Sequence, residues 1–511
     1  MKRVAFAWLL VLVVLTAWHP ASQAAPVDPD APAFAPDEVL VQYRDGVTDA
    51  QRSQARARVN GSTKRQLRAP QAADGGLEVM TVRGVDVHAA IATLQADPGV
   101  LFAEPNWRLT RPPLVPAETS SDRGYINGSH WGLYGESTTP ANVYGSQAGE
   151  AWANGYTGSG SVYVGVIDEG IRYTHCDLAQ NIGTNPGEVG LDAFGKDKST
   201  NNDDDDKNGY VDDVRGWDFV NSNNTVFDGN AVEGWDNHGT HVSGTIGSAA
   251  NNATCSPGNA GDPGDGGSVG VNWDVKILSG KFLGPNGGYL EHAVLAVDYF
   301  TLLKTRTVNP VNVVALNNSW GGGGYSQALH GAIIRAAKAD ILFIAAAGNS
   351  GTNNDGRASY PSNYNTLQGA APETAARYDS VIAVAAIDKA GNLASFSSYG
   401  RNTVDLGAPG VEIWSTVADG DASYAPYSGT SMATPHVTGA AALYAAANGL
   451  TCSAGGVGAN AQTCGSQIRT AVLNAAKTRY TPSLNRKTVT NGRLDISCLQ
   501  APSGAMGVCS K

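Results

Sequence analysis

The chain is 511 residues long and 42% hydrophobic, so it is long enough for one large core and a smaller domain. Its 35 Lys and Arg residues are outnumbered by 46 Asp and Glu, which gives a formal net charge of −11. Such an acidic chain lacks the positive surface that phosphate backbones require, and this argues against nucleic acid as a partner.

The first residues predict export. Lys2 and Arg3 precede the apolar run Ala5–Trp18, and Ser22-Gln23-Ala24 offers a small-x-small cleavage site. This layout is typical of a secretory signal peptide covering residues 1–24, and the apolar run is short for a membrane anchor. No later run is apolar for 18 residues. We therefore expect a secreted protein with no membrane partner once the signal is removed.

A small α+β domain is predicted for about residues 37–109. Apolar periodicity indicates two helices alternating with three strands, in the order Glu38–Arg44 (strand), Asp49–Val59 (helix), Leu77–Val82 (strand), Asp86–Ala96 (helix) and Val100–Glu104 (strand). The Pro-rich segment Arg111–Pro116 follows and is typical of an exposed linker. The sequence thus places a domain boundary at residue 116.

The rest of the chain predicts an α/β fold with a doubly wound, mostly parallel sheet flanked by helices. Continuous apolar runs, which indicate strands buried on both faces, occur at Val162–Ile167, Val275–Leu278, Val311–Leu316, Ile341–Ala346 and Val381–Ala385. Helical patterns lie between or after them at Leu290–Lys304, Gln327–Ala339 and Met432–Asn448. Functional groups in such sheets collect at the carboxyl ends of the strands.

Three distinctive motifs supply an aspartate, a histidine and a serine. Asp168 ends a predicted strand, His238 lies in Asn237-His238-Gly239-Thr240-His241, and Ser431 lies in Gly429-Thr430-Ser431-Met432. A serine hydroxyl becomes a nucleophile when a base takes its proton and a carboxylate orients that base. The chain order Asp, His, Ser selects among the unrelated folds that carry this triad.

Each motif also has a purely structural interpretation. Ser431 could only cap a helix, and Asp168 could only end a strand. His238 and His241 could both bind zinc, but no Glu follows in the HExxH manner and no third ligand is evident. His241 is better interpreted as a packed helix residue. The three motifs together favour catalysis.

Two donors are predicted for an oxyanion. The backbone N–H of Ser431 lies at the start of a predicted helix, where N–H groups bind negative charge. The side chain of Asn349 follows a strand in the turn Gly348-Asn349. Together they would stabilise the negative oxygen that forms during acyl transfer.

These motifs resemble those of the subtilisin-family serine proteases (subtilases, peptidase family S8). The resemblance covers the surroundings of Asp168, His238, Ser431 and Asn349, as well as the Ser319–Gly322 segment. It implies a serine endopeptidase that forms an acyl-enzyme on protein or peptide substrates, needs no cofactor for catalysis and is a monomer.

The resemblance also extends to the first domain, which is similar to the inhibitory propeptide of the family. It implies that residues 25–116 act as an intramolecular inhibitor and are cut away between roughly Arg111 and His130. The remaining residues, 117–511, would form the catalytic domain with a short, disulfide-bearing C-terminal extension.

Glycine-rich extended segments are predicted to bind the substrate main chain as an added strand. The residues expected to contribute are Ser319, Trp320, Gly321, Gly287 and Tyr289, with Ser350 and Ser359 bordering the first specificity pocket. Trp320 and Tyr289 are expected to line pockets for apolar side chains. The alternative for the glycines is that they form ordinary loops.

An Asp-rich insertion separates Asp168 from His238. Oxygen ligands at alternate positions with a Gly at the turn are typical of calcium loops, and here the candidate ligands are Asp204, Asp206, Asn208 and Asp212. Arg215 stands where such a loop would end in Glu, so the full motif is not met. Similar loops in some subtilases favour structural calcium; a solvated acidic loop is the alternative.

The six cysteines are even in number, which suits disulfides in an exported protein. Cys452 with Cys464 and Cys498 with Cys509 would close short loops, leaving Cys176 with Cys255, although spacing alone does not determine connectivity. The alternative to an enzyme is a catalytically silent, calcium-binding secreted protein that retains the fold. That alternative would require a missing triad member, and all three are present.

Overall fold

The structure is a computed structural model that describes residues 33–69, 75–109, 115–116, 128–138, 140–229, 235–250, 267–452 and 463–497. The predicted signal peptide lies outside these residues. Within the described ranges, no helix is both long and apolar enough to cross a membrane.

The N-terminal domain is an antiparallel sheet with two helices, as predicted. Its elements are β1 (Phe34–Tyr43), α1 (Asp49–Arg58), β2 (Gly61–Arg68), β3 (Leu77–Val82), α2 (Val87–Gln95) and β4 (Val100–Leu109), and the strand order is β2-β3-β1-β4. Its core includes Val39, Met80 and Leu94. Strand β2 was not predicted because its sequence, GSTKRQLR, carries little apolar signal.

The second part of the chain begins with short elements and then forms a seven-stranded sheet. The next elements are β5 (Val115–Pro116), α3 (Ala148–Ala153), β6 (Gly158–Asp168), β7 (Gly216–Asp218), α4 (Asn237–Gly247), β8 (Asp274–Lys281), β9 (Gly288–Tyr289), α5 (Leu290–Thr305), β10 (Val313–Asn318), α6 (Gln327–Lys338), β11 (Leu342–Ala346), β12 (Val381–Ile387) and β13 (Leu406–Pro409). The strand order is β13-β12-β11-β10-β6-β8-β7, and every pair in it is parallel.

The chain ends with β14 (Ile413–Val417), β15 (Ser423–Ser428), α7 (Thr430–Ala447) and α8 (Cys464–Thr478). Strands β14 and β15 form an antiparallel hairpin that leads directly into α7, and β5 pairs with β15. Helix α7 packs across β6, β10, β11, β12 and β13. The nucleophile candidate therefore starts a helix that lies over the centre of the sheet.

Both faces of the large sheet are covered, which explains the continuous apolar runs. In β11, Leu342 and Ile344 belong to the core cluster that contains α7, whereas Phe343 and Ala345 belong to the cluster that contains α5 and α6. Neighbouring residues of a strand point to opposite faces, so a strand covered on both sides must be apolar at every position. The predicted doubly wound α/β fold is confirmed.

The N-terminal domain packs against the part of the chain that contains the seven-stranded sheet. Strand β4 pairs antiparallel with β9, with Arg108 opposite Tyr289 and Leu109 opposite Gly288, so β9 extends the N-terminal sheet by one strand. The Glu104 carboxylate accepts hydrogen bonds at the start of α6 from the Ser326 hydroxyl (2.7 Å) and from two backbone N–H groups, those of Gln327 (2.8 Å) and Ala328 (3.1 Å).

One predicted disulfide, Cys452–Cys464, is present and joins the segment after α7 to the start of α8. Cys176 is also disulfide-bonded. The predicted pairs Cys176–Cys255 and Cys498–Cys509 each involve residues outside the described ranges.

Candidate active site

Strands β6, β10 and β11 are neighbours, and the candidate residues lie where they end. Asp168 is the last residue of β6, Ser319 directly follows β10, and Asn349 lies three residues after β11. Because the strands are parallel, their carboxyl ends meet at one edge of the sheet. Helix α4, which carries His238, packs against α7, which carries Ser431.

Asp168 and His238 are in direct contact. The Nδ1 atom of His238 lies 2.8 Å from Oδ1 of Asp168, and both side chains are buried. A carboxylate can only accept, so Nδ1 donates the hydrogen and Nε2 of the neutral ring keeps its lone pair. Nε2 is buried, with no hydrogen-bond partner among the described residues. The pair is arranged as a general base and the group that orients it.

Ser431 is the second residue of α7, and its side chain is directed toward the segment after β10. Its Oγ donates to the main-chain carbonyl of Ser319 at 3.2 Å, while the Ser319 hydroxyl donates to the Ser431 carbonyl at 2.8 Å. The structure therefore contains the aspartate–histidine hydrogen bond but holds the serine on Ser319 instead of on the imidazole.

Nδ2 of Asn349 and the backbone nitrogen of Ser431 both lie close to Gly429. Oδ1 of Asn349 accepts hydrogen bonds from the backbone N–H (2.9 Å) and the hydroxyl (2.8 Å) of Thr430, which fixes the orientation of the amide. A methyl carbon placed on Gly429 would lie 3.1 Å from Asn349 Nδ2 and 3.5 Å from Ser431 N. Both are N–H donors, so they can bind one oxyanion between them.

His241 supports the site as a packed residue. Its Nε2 lies 2.9 Å from the carbonyl of Ile413 and 3.1 Å from that of Ala425, and its ring stacks on Tyr427 with the centroids 4.5 Å apart. Burial lowers the pKa of His241 to about 3, so the ring is neutral at ordinary pH. These contacts favour the packing interpretation over the zinc interpretation.

One of the predicted substrate segments, residues 287–289, lies against the last strand of the N-terminal domain. Gly287 has a φ of +81° and forms a tight turn with Gly284, and Tyr289, 38% exposed, pairs with β4. Gly321 lies against the Tyr360 carbonyl, 3.1 Å from where its Cβ would be. Ser359 is half-buried near Gly348, and Ser350 is exposed.

The Trp320 side chain does not line a pocket, contrary to the prediction. It is fully buried in the core, with its ring edge-on to Phe282 (4.8 Å between centroids) and Phe343 (6.4 Å). Such a large apolar side chain at the end of a buried strand gains more from packing under the sheet edge than from facing the cleft. Only the main chain of Trp320 is therefore available to a substrate.

The Asp-rich insertion brings together a different acidic set from the one predicted. Ligand oxygens of Glu188, Asp206 and Asp213 lie within 4.8 Å of one another, so only Asp206 of the predicted ligands belongs to this cluster. Asp204 instead accepts from the backbone N–H groups of Asn208 and Gly209. Glu188 lies outside the predicted loop, so the loop spacing gave no signal for it.

The remaining predicted ligands are used differently. Oδ1 of Asn208 accepts from the backbone of Tyr210 at 2.7 Å, and its amide donates to Asp213 at 3.1 Å. One oxygen of Asp212 accepts from the backbone of Asn202 at 3.2 Å, and the other is buried without a partner among the described residues.

The acidic cluster carries more negative charge than the cation that contacts it, Arg306, can neutralise. The pKa of Glu188 is raised to about 7, mainly by burial and also by the charges of Asp206 and Asp213, although a backbone hydrogen bond lowers it. Burial likewise raises the pKa of Asp213 to about 6. The Arg306 guanidinium donates to Asp206. Within the described residues, Oε2 of Glu188 is buried and makes no hydrogen bond.

Sequence reasoning also missed two charged groups next to the Asp–His pair. Glu169 follows Asp168 directly, and its carboxylate accepts from the backbone N–H of His238 at 2.6 Å. Lys281, the last residue of β8, is buried and lies opposite Asp168 in the sheet. Glu169 carries no motif of its own, but an acidic residue beside a candidate catalytic aspartate was a visible signal.

Two family models match the chain, one in each of the two parts that the fold distinguishes. The family model described as "Subtilase family" matches residues 159–492, and the one described as "Fervidolysin N-terminal prodomain" matches residues 20–106. The second match ends within β4, in the domain that docks beside the candidate site.

Relatives of known name cover much of the chain. A thermophilic serine proteinase of Bacillus sp. (strain AK1) is 30% identical over 81% of this chain and 79% of its own length. An extracellular basic protease of Dichelobacter nodosus is 30% identical over 79% of this chain and 62% of its own length. The crystal structure of fervidolysin from Fervidobacterium pennivorans, a keratinolytic enzyme related to subtilisin, shares the fold with a TM-score of 0.54 at 21% identity, over 91% of this chain and 61% of that one.

Proposed function

Because the chain belongs to the subtilase family and is a subtilisin-like serine endopeptidase with an N-terminal prodomain, we propose that Asp168, His238 and Ser431 hydrolyse the peptide bond. The observation that carries this assignment is the buried 2.8 Å contact between Asp168 and His238, which leaves Nε2 of His238 ready to accept a proton. Ser431 lies in the first turn of α7, the helix that packs against the helix of His238.

The reaction begins when the Ser431 hydroxyl turns from the Ser319 carbonyl toward His238. As Oγ attacks the substrate carbonyl carbon, Nε2 takes its proton, and the Asp168 carboxylate stabilises the imidazolium. The carbonyl oxygen becomes an oxyanion and accepts from Ser431 N and Asn349 Nδ2. The imidazolium then protonates the leaving amine, the C–N bond breaks, and water hydrolyses the acyl-enzyme by the same steps.

The prodomain inhibits by occupying the substrate position. Strand β4 already makes the antiparallel pairing with β9 that an extended peptide would make. We assign residues 25–116 to this prodomain and 117–511 to the catalytic domain, with removal of the prodomain between roughly Arg111 and His130. Substrate main chain would then contact Ser319, Gly321 and Gly287, with Tyr289, Ser350 and Ser359 at the side-chain pockets.

Secretion and structural calcium complete the proposal. The N-terminal sequence is typical of a signal peptide, and the Dichelobacter relative is named as extracellular. Calcium binds hard oxygen ligands, and the cluster of Glu188, Asp206 and Asp213 offers three carboxylates, one with a buried oxygen that makes no hydrogen bond within the described ranges. Calcium there would neutralise the excess negative charge; it takes no part in the reaction.

A general protein substrate tests the function. The matured protein should cleave it, and a serine-directed covalent inhibitor should abolish the cleavage. The Ser431→Ala precursor should keep its prodomain attached, because maturation uses the same site. If the matured protein cleaves nothing in an inhibitor-sensitive way, the catalytically silent calcium-binding alternative is favoured. If purified Ser431→Ala is processed normally, maturation does not depend on this serine.

A further inference from the structure

Glu169 carries a buried carboxylate that the reaction scheme does not use. Its side chain belongs to a residue only 2% exposed, and Oε1 accepts from the backbone N–H of His238 at 2.6 Å. His238 is the second residue of α4, where backbone N–H groups have no acceptor within the helix. The hydrogen bond therefore joins the strand end that carries Asp168 to the helix that carries the base.

Helix α4 depends on the hydrogen bond to Glu169 because the side chain of its own N-cap residue makes other contacts. Asp236 occupies the N-cap position with a left-handed φ of 64°, and its side chain makes no capping hydrogen bond. Instead, Oδ1 of Asp236 lies 2.5 Å from Nζ of Lys281, and Oδ2 of Asp228 lies 3.0 Å from the same nitrogen. Glu169, just after the end of β6, supplies the acceptor that a cap residue normally provides.

Lys281 also holds the main chain of Glu169. Its Nζ donates to the Glu169 carbonyl, and its strand pairs in register with Asp168. Burial lowers the pKa of Lys281, but the charges and hydrogen bonds of Asp236 and Asp228 outweigh it and raise the pKa overall, so the side chain stays cationic. Glu169 is thus anchored at its backbone while its side chain reaches His238.

The strand end and the helix are in close contact, so a displacement of one is passed to the other. A Cβ placed on Gly239 would lie 2.1 Å from the Gly170 carbonyl oxygen, and one placed on Gly170 would lie 2.4 Å from Oδ1 of Asp236. At Gly239 the two backbones are in direct contact, with no side chain between them. Losing the Glu169 acceptor would let the first turn of α4 shift relative to Asp168.

We propose that Glu169 is a positioning residue, whose carboxylate oxygen fixes the backbone of His238 and thereby the imidazole relative to Asp168 and the nucleophile. The proposal rests on the proposed serine protease function of the same site. It assigns the effect to the hydrogen-bond acceptor and not to the negative charge, because Asp236 and Asp228 already neutralise Lys281.

Two variants distinguish the effect of the hydrogen-bond acceptor at residue 169 from the effect of its negative charge. Glu169→Ala removes both, and kcat should fall about 10- to 100-fold while KM changes less than about 3-fold, because a misplaced base slows the reaction but leaves the peptide-binding strand intact. Glu169→Gln keeps a carbonyl oxygen that can accept from His238 N, so kcat should return to within about 3-fold of the parent. Rates are expressed per active site titrated with a serine-directed inhibitor, so that unfolded protein does not count.

Asp405→Ala is the matched control. This carboxylate is also buried and accepts from a backbone N–H, that of Ala383, at 2.8 Å, but it precedes β13 and so lies at the amino edge of the sheet. It should lower the melting temperature and leave kcat per site unchanged. Should Glu169→Ala fail to mature, the rate of precursor processing in both Glu169 variants gives the same comparison.

The outcomes are distinguishable. A parent-like kcat in Glu169→Ala, or a Glu169→Gln variant as slow as Glu169→Ala, overturns the positioning role while the protease function stands. An equal loss of kcat in Asp405→Ala also overturns it, because any buried carboxylate would then have the same effect. If the parent shows no inhibitor-sensitive cleavage, the proposed function and the positioning role fail together.

Discussion

Replacing Glu104 with alanine should release the prodomain. Glu104 is 9% exposed, and its carboxylate accepts three hydrogen bonds at the start of α6, from the Ser326 hydroxyl and two backbone N–H groups. Without the carboxylate, those donors are buried and have no acceptor while the prodomain is docked, but water hydrates them once the prodomain leaves. An unsatisfied buried group costs about 1–3 kcal/mol. Burial raises the pKa of Glu104, although its hydrogen bonds act in the opposite direction. Replacing Glu104 with alanine therefore also removes the free-energy cost of burying its carboxylate.

The net loss of binding free energy is therefore about 2–3 kcal/mol, or about 30- to 150-fold in the dissociation constant of the cleaved prodomain. The assay lets the precursor mature, dilutes the inhibited complex in steps, and measures the concentration at which half of the peptidase activity is recovered. Asp49→Ala makes the same charge change at a side chain that is 86% exposed, and it should leave that concentration unchanged. A dissociation constant for Glu104→Ala within about 3-fold of the parent would refute the reasoning.

Three further predictions concern catalysis, metal and acid. Asn349→Ala should lower kcat about 10²- to 10³-fold with little change in KM, a size taken from the loss of the oxyanion-hole asparagine in a subtilisin; an unchanged kcat would mean that another donor binds the oxyanion. Chelation should lower the melting temperature of Ser431→Ala protein by about 3–8 °C if the acidic cluster holds calcium, and Glu188→Gln should remove that sensitivity; equal shifts with and without the substitution would reject the site. Burial lowers the pKa of His241 to about 3 and that of His436 to about 4. Unfolded histidines bind protons near pH 6.5, so the contribution of these two rings to stability is complete above that pH and is lost as pH decreases toward 4, by up to about 1.4 kcal/mol per unit for each ring. Buried carboxyl groups with raised pKa values, such as Glu188 and Asp213, change stability in the opposite direction. The measurement is therefore the difference in urea midpoint between Ser431→Ala and the same variant carrying His436→Gln, and a difference that stays constant from pH 7 to 5 would contradict this.

The fold was predictable where burial requires apolar residues along a whole element. Strands covered on both faces, such as β11 and β12, are apolar at every position. The polar strand β2 and the helix α8 leave weaker signals, and neither was predicted. The order that places β6 between β10 and β8 depends on pairings between distant segments, which no local pattern records.

The site was predictable where chemistry demands fixed residue types. Asp168 and His238 are in contact as their motifs implied. The rotation of the Ser431 hydroxyl onto Ser319 was not predictable, because it depends on a carbonyl brought near by the fold. Likewise, Glu188 joins the acidic cluster from outside the Asp-rich loop, and the Trp320 ring packs into the core.

The shortness of β9 has a consequence for what the mature enzyme can cut. Among the described residues, β9 pairs with β4 through Gly288 and Tyr289. Once the prodomain leaves, the unpaired main-chain groups of β9 suit an extended stretch of substrate, because the main-chain groups of a helix or of an already paired strand have partners of their own. A substrate protein must expose a locally extended segment before it can bind to β9. Compact, well-folded proteins should therefore survive exposure to this enzyme, while denatured chains and loose surface loops are degraded.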